Sequence, residues 1–377
     1  MKLFRLSLLS LVILFASCKA TDSTVKMVEE KPQAPKNVIL LIADGTGLAQ
    51  ISSAFYYKDS KPNYSRFNHI GLIQTSSSRE DVTDSAAGAT AFASGIKTYN
   101  GAIGVADDST EVKTIVELIS PKNIKTGVIS TSSVVHATPA CFYAHALSRQ
   151  LVGEIAEDMV NSDLDFVAGG GTRFFYKRRD GKDLLKALRD KNFAVDTTNL
   201  SSFDDIKSNE KMAYILHEYD LPKMSEGRGD FLPNATELGI QFLNKDASNP
   251  NFFLMVEGSQ VDWGGHQNDT DYLVSELIDF DNALGKALDF AEKDGNTLVI
   301  VTADHETGGF TLASTPKETE DGREYSDYSE ITGMFSTGGH SASLIPVFAY
   351  GPGAEEFNGV YQNNDIFHKI MKVTGWK

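Results

Sequence analysis

Carboxylates and imidazoles recur in this chain directly after short apolar runs. Val38–Ala43 is followed by Asp44-Gly45, Phe252–Val256 by Glu257, and Leu298–Ala303 by Asp304-His305. One acidic residue after such a run is an ordinary cap or turn. Three such endings, each beside Gly or His, point to a common ligand set. Asp262-Trp263-Gly264-Gly265-His266 adds a carboxylate and an imidazole four residues apart, close enough to share one metal. Thr337-Gly338-Gly339-His340 puts a further histidine in a glycine-rich turn, where backbone can approach a ligand closely. Asp, Glu and His without thiolates suit catalytic zinc, and all-oxygen sets suit magnesium. His69, His217 and His368 have no such company and read as ordinary core or surface residues.

A nucleophile is also on offer. In Val82-Thr83-Asp84-Ser85-Ala86-Ala87-Gly88-Ala89-Thr90 the residues after the serine are small, and the stretch through Phe92 predicts a tightly packed helix. Ser85 then stands at the helix N-terminus, where free N–H groups and the helix dipole favour an anion. A plain capping serine would account for neither Asp84 beside it nor the run of small residues.

The elements that must position these groups alternate in type. Val38–Ala43, Gly127–Ser130, Leu164–Ala168, Asn251–Glu257, Thr297–Thr302 and Leu344–Tyr350 are continuous apolar runs, as expected of strands buried on both faces. Helical spacing appears at 151–161, 182–190 and 236–244. It is longest at 271–293, with Leu273, Leu277, Phe280, Leu284 and Leu288 on one face. The alternation predicts an α/β fold: a single domain, a mostly parallel central sheet and helices on both faces. Such sheets bind ligands at the carboxyl ends of their strands, where the ligand-type residues fall here. Residues 311–336 are polar and read as a small surface insertion. The Arg228-Gly229-Asp230 string resembles an adhesion motif only by chance.

The bulk composition narrows the classes. The chain has 377 residues, 41% hydrophobic and 23% charged, enough for a large core. A net charge of −16 argues against nucleic acid binding and demands local cations at any site for anions. Met1, Lys2 and Arg5 precede the apolar stretch Leu6–Phe15, which is too short to span a membrane and reads as an export signal. Phe15-Ala16-Ser17-Cys18 resembles a lipoprotein processing site. This predicts a signal peptide over 1–18, a lipid on Cys18, a flexible tether over 19–35 and a catalytic domain over 36–377. The expected location is the periplasm, or the outer membrane by way of the lipid. Cys141, between Ala140 and Phe142, reads as a buried filler, so no disulfide is expected.

Taken together, Val82–Thr90, Ala43-Asp44-Gly45, Lys97–Gly101, Ala137-Thr138-Pro139-Ala140, Glu257-Gly258-Ser259-Gln260, Thr302–Glu306 and Gly338-Gly339-His340 resemble the alkaline phosphatase family. Their order matches over residues 36–377, and the likeness is to short, cold-adapted bacterial members. The resemblance implies hydrolysis of small phosphate monoesters through a phosphoserine on Ser85, with Arg149 clamping the phosphate. It implies one zinc on Asp262, His266 and His340, and a second about 4 Å away on Asp44, Asp304 and His305. It also implies magnesium on Asp44, Thr138 and Glu257, and a homodimer. His136 and Trp263 depart from the best-studied bacterial type, which has Asp and Lys there, and border the third metal and the phosphate. Two alternatives remain: a phosphodiesterase of the same superfamily, and a non-catalytic metal- or phosphate-binding lipoprotein, which would need the ligands but not Ser85.

Overall fold

The computed structural model describes residues 34–246, 248 and 251–376. The signal peptide expected over 1–18, the processing site expected at Cys18 and residues 19–33 of the expected tether lie outside the described residues.

The strands are β1 (Asn37–Ala43), β2 (His69–Gln74), β3 (Lys125–Ser133), β4 (Phe166–Gly170), β5 (Phe193–Asp196), β6 (Lys211–Ile215) and β7 (Phe252–Gly258). They continue as β8 (Thr297–Thr302), β9 (Glu306–Thr307), β10 (Thr311–Glu318), β11 (Glu324–Met334), β12 (His340–Ser341), β13 (Ile345–Tyr350) and β14 (Gly359–Gln362). Ten of them form one sheet in the order β14-β2-β13-β8-β1-β7-β3-β4-β6-β5. Only β13 runs against the rest, antiparallel to both β2 and β8. Every run expected to be a strand lies in this sheet. The strands of this sheet not expected from the sequence, β2, β5, β6 and β14, lie at its flanks; β2, β5 and β14 are only partly buried, and β6 is buried but short.

β1 shows why continuous apolarity marks a central strand. Side chains of a strand alternate between faces. Val38, Leu40 and Ile42 enter one core cluster, and Ile39, Leu41 and Ala43 the other. Each fully buried Val, Leu or Ile side chain among these contributes roughly 1.5–3 kcal/mol. One cluster is completed by the helix Ser85–Ser94, through Ala86, Ala89, Phe92 and Ala93. The other takes Leu273, Leu277, Phe280, Leu284 and Leu288 of the helix Thr270–Asp294, capped by the Asp269 carboxylate on the Tyr272 N–H and stopped at Gly295. Helices therefore cover both faces, as expected. The helix predicted at 236–244 starts earlier, at Phe231, because Pro233 fits the first turn. The polar insertion is a hairpin, β10 with β11, turning at Gly322 with φ +82°. Cys141 is fully buried, as predicted.

Arg228 is not displayed for adhesion. Its side chain is 1% exposed and pairs with Glu276 and, at 2.8 Å, with Asp279, which are 2% and 1% exposed. This ion triad ties the segment before Phe231–Leu243 to the long helix. Arg228→Met would leave two buried carboxylates facing each other without a counter-charge. Chemical denaturation should show a loss of about 3–5 kcal/mol; a change below about 1 kcal/mol would mean the triad does not hold these elements together.

Candidate active site

The carboxyl ends of β1, β7 and β8 bring the acidic residues together. Asp44 follows β1, and its N–H donates to the Gly258 carbonyl at 3.1 Å. Gly45 turns the chain with φ +69°, and a Cβ there would stand 2.6 Å from the Asp262 Cα. Only glycine lets this turn pass the helix Gln260–His266 so closely. Asp304 follows β8, accepting the Gly45 N–H at 3.2 Å. Glu257 lies within β7, and one of its oxygens takes hydrogen bonds from Ser130 at 2.5 Å and Ser259 at 2.7 Å.

Two ligand groups result. The potential ligand atoms of Asp44, Asp304 and His305 lie within 4.8 Å of one another, as do those of Asp262, His305 and His340. His305 stands between the groups, its ring stacked on that of His340 at 3.5 Å. His266, expected beside Asp262 and His340, is there: its Nε2 is 3.1 Å from the His340 Nε2 and 3.4 Å from Asp262 Oδ2. It is the exposed member of the group.

Hydrogen bonds to the other ring nitrogens decide which atom each histidine presents. His266 Nδ1 is 2.8 Å from the Gly338 carbonyl, and His340 Nδ1 is 2.9 Å from the Thr83 carbonyl. Carbonyls only accept, so Nδ1 carries the proton and Nε2 presents a bare lone pair. Thr307 does the same for His305. Its hydroxyl donates to Asp262 Oδ1 at 2.5 Å, and therefore accepts from His305 Nδ1 at 3.2 Å. The buried Thr307 thus orients one residue from each ligand group. Two Nε2 lone pairs facing each other at 3.1 Å repel unless a proton or a metal ion lies between them.

The buried oxygens support the same conclusion. Both Asp44 carboxylate oxygens, Asp304 Oδ2, Glu257 Oε1 and Thr138 Oγ1 have no hydrogen-bonding partner within the protein. Buried polar atoms are rarely left this way, since each costs about 1–3 kcal/mol or more. Burial, and then the charge of Asp304, Asp262 and Glu257, pushes the Asp44 carboxyl well above its ordinary range. Burial pushes Asp304 up as well, and Glu257 up to about 7. Burial, reinforced by His340, holds His305 down at about 3, so it is neutral and fit to ligate. The cluster is short of positive charge, and its donor atoms fit metal ions.

Ser85 begins its helix against this cluster, with Oγ 3.4 Å from His305 Nε2. The small residues after it have a steric reason: a Cβ on Gly88 would meet the Asp304 Cβ at 3.0 Å. Asp84 caps the helix by accepting the Ala87 N–H at 3.0 Å, and it also accepts from Arg149 Nη1 at 3.0 Å. A second nitrogen of Arg149 is 3.5 Å from His136 Nε2. His136, held down at about 3 by burial and by Arg149, meets Trp263 edge to face at 5.9 Å. The structure thus brings Asp44, Asp262, His266, Asp304, His305 and His340 together, sets Ser85 against His305, and links Arg149 to Asp84 and, through His136, to Trp263. Asp84 as the anchor of Arg149, Thr307 as a shared support and the serines around Glu257 were not expected from the sequence. The hydroxyl run Ser130-Thr131-Ser132-Ser133 at the end of β3 was the available signal for the last.

Comparisons with known proteins agree with this geometry. Residues 35–320 match the family model described as alkaline phosphatase. Alkaline phosphatase 3 of Bacillus subtilis is 33% identical, with 99% of this chain and 98% of that one aligned. The alkaline phosphatase of Escherichia coli is 29% identical over 94% of this chain and 89% of its own length. Among solved structures, the alkaline phosphatase of the Antarctic bacterium TAB5 is 63% identical with a TM-score of 0.89, covering 92% of this chain and 100% of that one. A histidine-to-aspartate variant of the TAB5 enzyme, with magnesium bound in its M3 site, is 65% identical with a TM-score of 0.90 and the same coverage. With its α/β sheet, its paired ligand groups and these matches, the chain belongs to the alkaline phosphatase family and is a metal-dependent enzyme that hydrolyses phosphate monoesters.

Proposed function

We propose that Ser85 is the nucleophile, that Arg149 is the phosphate clamp, and that the ligand groups hold two zinc ions and one magnesium ion. The observation that carries this is the placement of Ser85 Oγ at a helix N-terminus, 3.4 Å from His305, with Arg149 anchored on the adjacent Asp84. Asp262, His266 and His340 would hold one zinc, and Asp44, Asp304 and His305 the other. Asp44, Thr138 and Glu257 offer only oxygen and suit magnesium. When bound, such ions supply the positive charge that acidifies a hydroxyl or water and offsets charge on a departing oxygen. Ser85 Oγ attacks phosphorus, the bond to the ester oxygen breaks, and the alcohol leaves. Water then cleaves the Ser85 phosphoester and inorganic phosphate departs. Arg149 offers a planar fork to two non-bridging oxygens, and Asp84 keeps that fork from rotating away. A monoester has the free oxygens to fill this fork, which favours it over a diester.

Ser85→Ala should lower turnover of a chromogenic phosphomonoester by several orders of magnitude while metal content by mass spectrometry stays at the wild-type level. Wild-type kcat in this variant would refute the covalent route.

His136 lies two residues before Thr138 and corresponds, we infer, to the histidine replaced in the TAB5 variant that carries magnesium in its M3 site. Imidazole is a softer donor than carboxylate and, held neutral here, adds no charge to attract a hard cation. His136→Asp should therefore lower the magnesium concentration needed by zinc-saturated enzyme by about 10–100-fold. Magnesium titration of activity and of bound metal checks this. An equal or higher requirement would show that His136 does not border the third ion.

The segment before residue 34 supports export and a lipid on Cys18, with the protein anchored at the outer membrane or held in the periplasm. Mass spectrometry of the native envelope protein tests this, and an unmodified N-terminus beyond Cys18 would overturn it. Family membership supports a homodimer, which light scattering of the purified protein would reveal as twice the chain mass.

A further inference from the structure

The segment Ala144–Arg149 ends at the residue proposed as the phosphate clamp, yet it belongs to no helix or named strand and depends on a few bonds for its place. Its near end is fastened at Gly101. The Arg149 N–H donates to the Gly101 carbonyl at 2.7 Å, and the Gly101 N–H in turn donates to both Asp84 carboxylate oxygens at 3.0 Å. Ile103 and Ala146 exchange two backbone hydrogen bonds of 2.9 Å. The far end is fastened by the side chain of His145. Its Nδ1 is 2.7 Å from the Gly104 carbonyl, and its Nε2 is 3.2 Å from Glu117 Oε1. Carbonyl and carboxylate oxygens only accept, so both ring nitrogens carry protons and the ring is an imidazolium. Gly104, at φ +57°, permits this approach, since a Cβ there would stand 2.8 Å from Nδ1. Glu117 is itself held in a capping box, its Oε2 accepting the Thr114 N–H at 2.8 Å.

The charged groups that face His145 are acidic. Glu117 comes from the helix Ile115–Ile119, Asp158 from the helix Val152–Asn161, and Glu111 from the loop before Ile115. Asp158 accepts the His145 N–H at 3.0 Å, and Asp163 lines the same small cavity. The hydrogen bond to Glu117 lifts the imidazole to about 9, against the opposing effect of partial burial. The proton therefore stays on at neutral pH in the folded protein and leaves as pH rises through about 9, after which a bare Nε2 faces the Glu117 carboxylate.

We propose that His145 is a positioning residue for the phosphate clamp: its imidazolium holds the Arg149 segment between Gly104 and Glu117, so that alkaline conditions loosen the grip on phosphate. The inference rests on Arg149 as the phosphate's partner. A fork that meets two oxygens of one phosphate is sensitive to small displacements of its backbone, because both bonds need the same plane. Product phosphate meets the same fork, so its release is eased under the same conditions.

The test is inhibition by inorganic phosphate at about pH 7.5 and about pH 10.5 in metal-loaded wild type, Glu117→Gln and His145→Gln. Glutamine at 117 preserves the capping box and can donate to a neutral imidazole, so Glu117→Gln removes the charge and its titration while keeping a bond. Groups at the metal ions titrate alike in all three proteins, so the ratio of inhibition constants, variant to wild type, isolates the His145 tie. For Glu117→Gln this ratio should be about two- to fivefold at the lower pH and fall to about one at the higher. His145→Gln, which cannot titrate, should follow the same course. A Glu117→Gln ratio that does not fall between the two pH values overturns the proposal, whether it stays at one or is raised equally at both, as a merely structural role would raise it. Arg149→Ala separates the two levels. Weaker phosphate inhibition in that variant beside a pH-independent Glu117→Gln ratio removes the role of His145 alone. An unaltered inhibition constant in Arg149→Ala removes the clamp, and the positioning role with it.

Discussion

The structure depends on a concentration of buried negative charge. Asp44, Asp304, Asp262 and Glu257 lie at or near zero exposure, and several of their oxygens have no donor within the protein. Carboxylates in such a place either take up protons or gather cations. The histidines decide for cations. His266, His305 and His340 each have Nδ1 committed to an oxygen and turn a bare Nε2 toward the same space. By themselves these ligand atoms would repel one another, and metal ions would convert the repulsions into attractions. Metal binding and the order of this end of the sheet are in that sense one quantity.

Close packing delivers the nucleophile to that charge. The helix Ser85–Ser94 is buried along its whole length, yet it carries little side-chain bulk. Gly88 lets it rest on Asp304, and Gly45 lets the turn after β1 rest on Asp262. A methyl group at either point would push apart elements whose functional atoms are 3–4 Å from one another. Asp84 then serves twice, capping the helix and anchoring Arg149. The conformation of the nucleophile and the position of the clamp thus share a single carboxylate.

A net charge of −16 opposes an anionic substrate on simple summation. Distance resolves it, because exposed charges are screened within about 8–10 Å at ordinary ionic strength. The local balance governs, and it is set by Arg149, the helix N-terminus and the ligand sets.

Much of this was legible in the sequence because two signals are local. A strand buried on both faces must be apolar throughout, as β1, β7 and β8 are, and the residue after it is the first that can be polar. Asp44 and Asp304 therefore announced themselves, and the glycine-rich surroundings of Asp262 and His340 marked close backbone approach. The flanking strands β2 and β14 escaped notice because they are short, partly exposed runs interrupted by Gly71 and the polar ends His69, Gln74 and Gln362, so burial imposes little pattern on them. Other features exist only in three dimensions. That His305 stands between two ligand groups, that Thr307 supports both, and that Asp84 reaches Arg149 across 65 residues follow from side chains meeting after the sheet closes. Hydrogen bonds between residues distant in sequence leave no periodic trace in it. The sequence by itself determined which atoms could hold metal and phosphate; tertiary packing alone decided which of them share a site, because proximity across strands is set by sheet order and not by spacing along the chain.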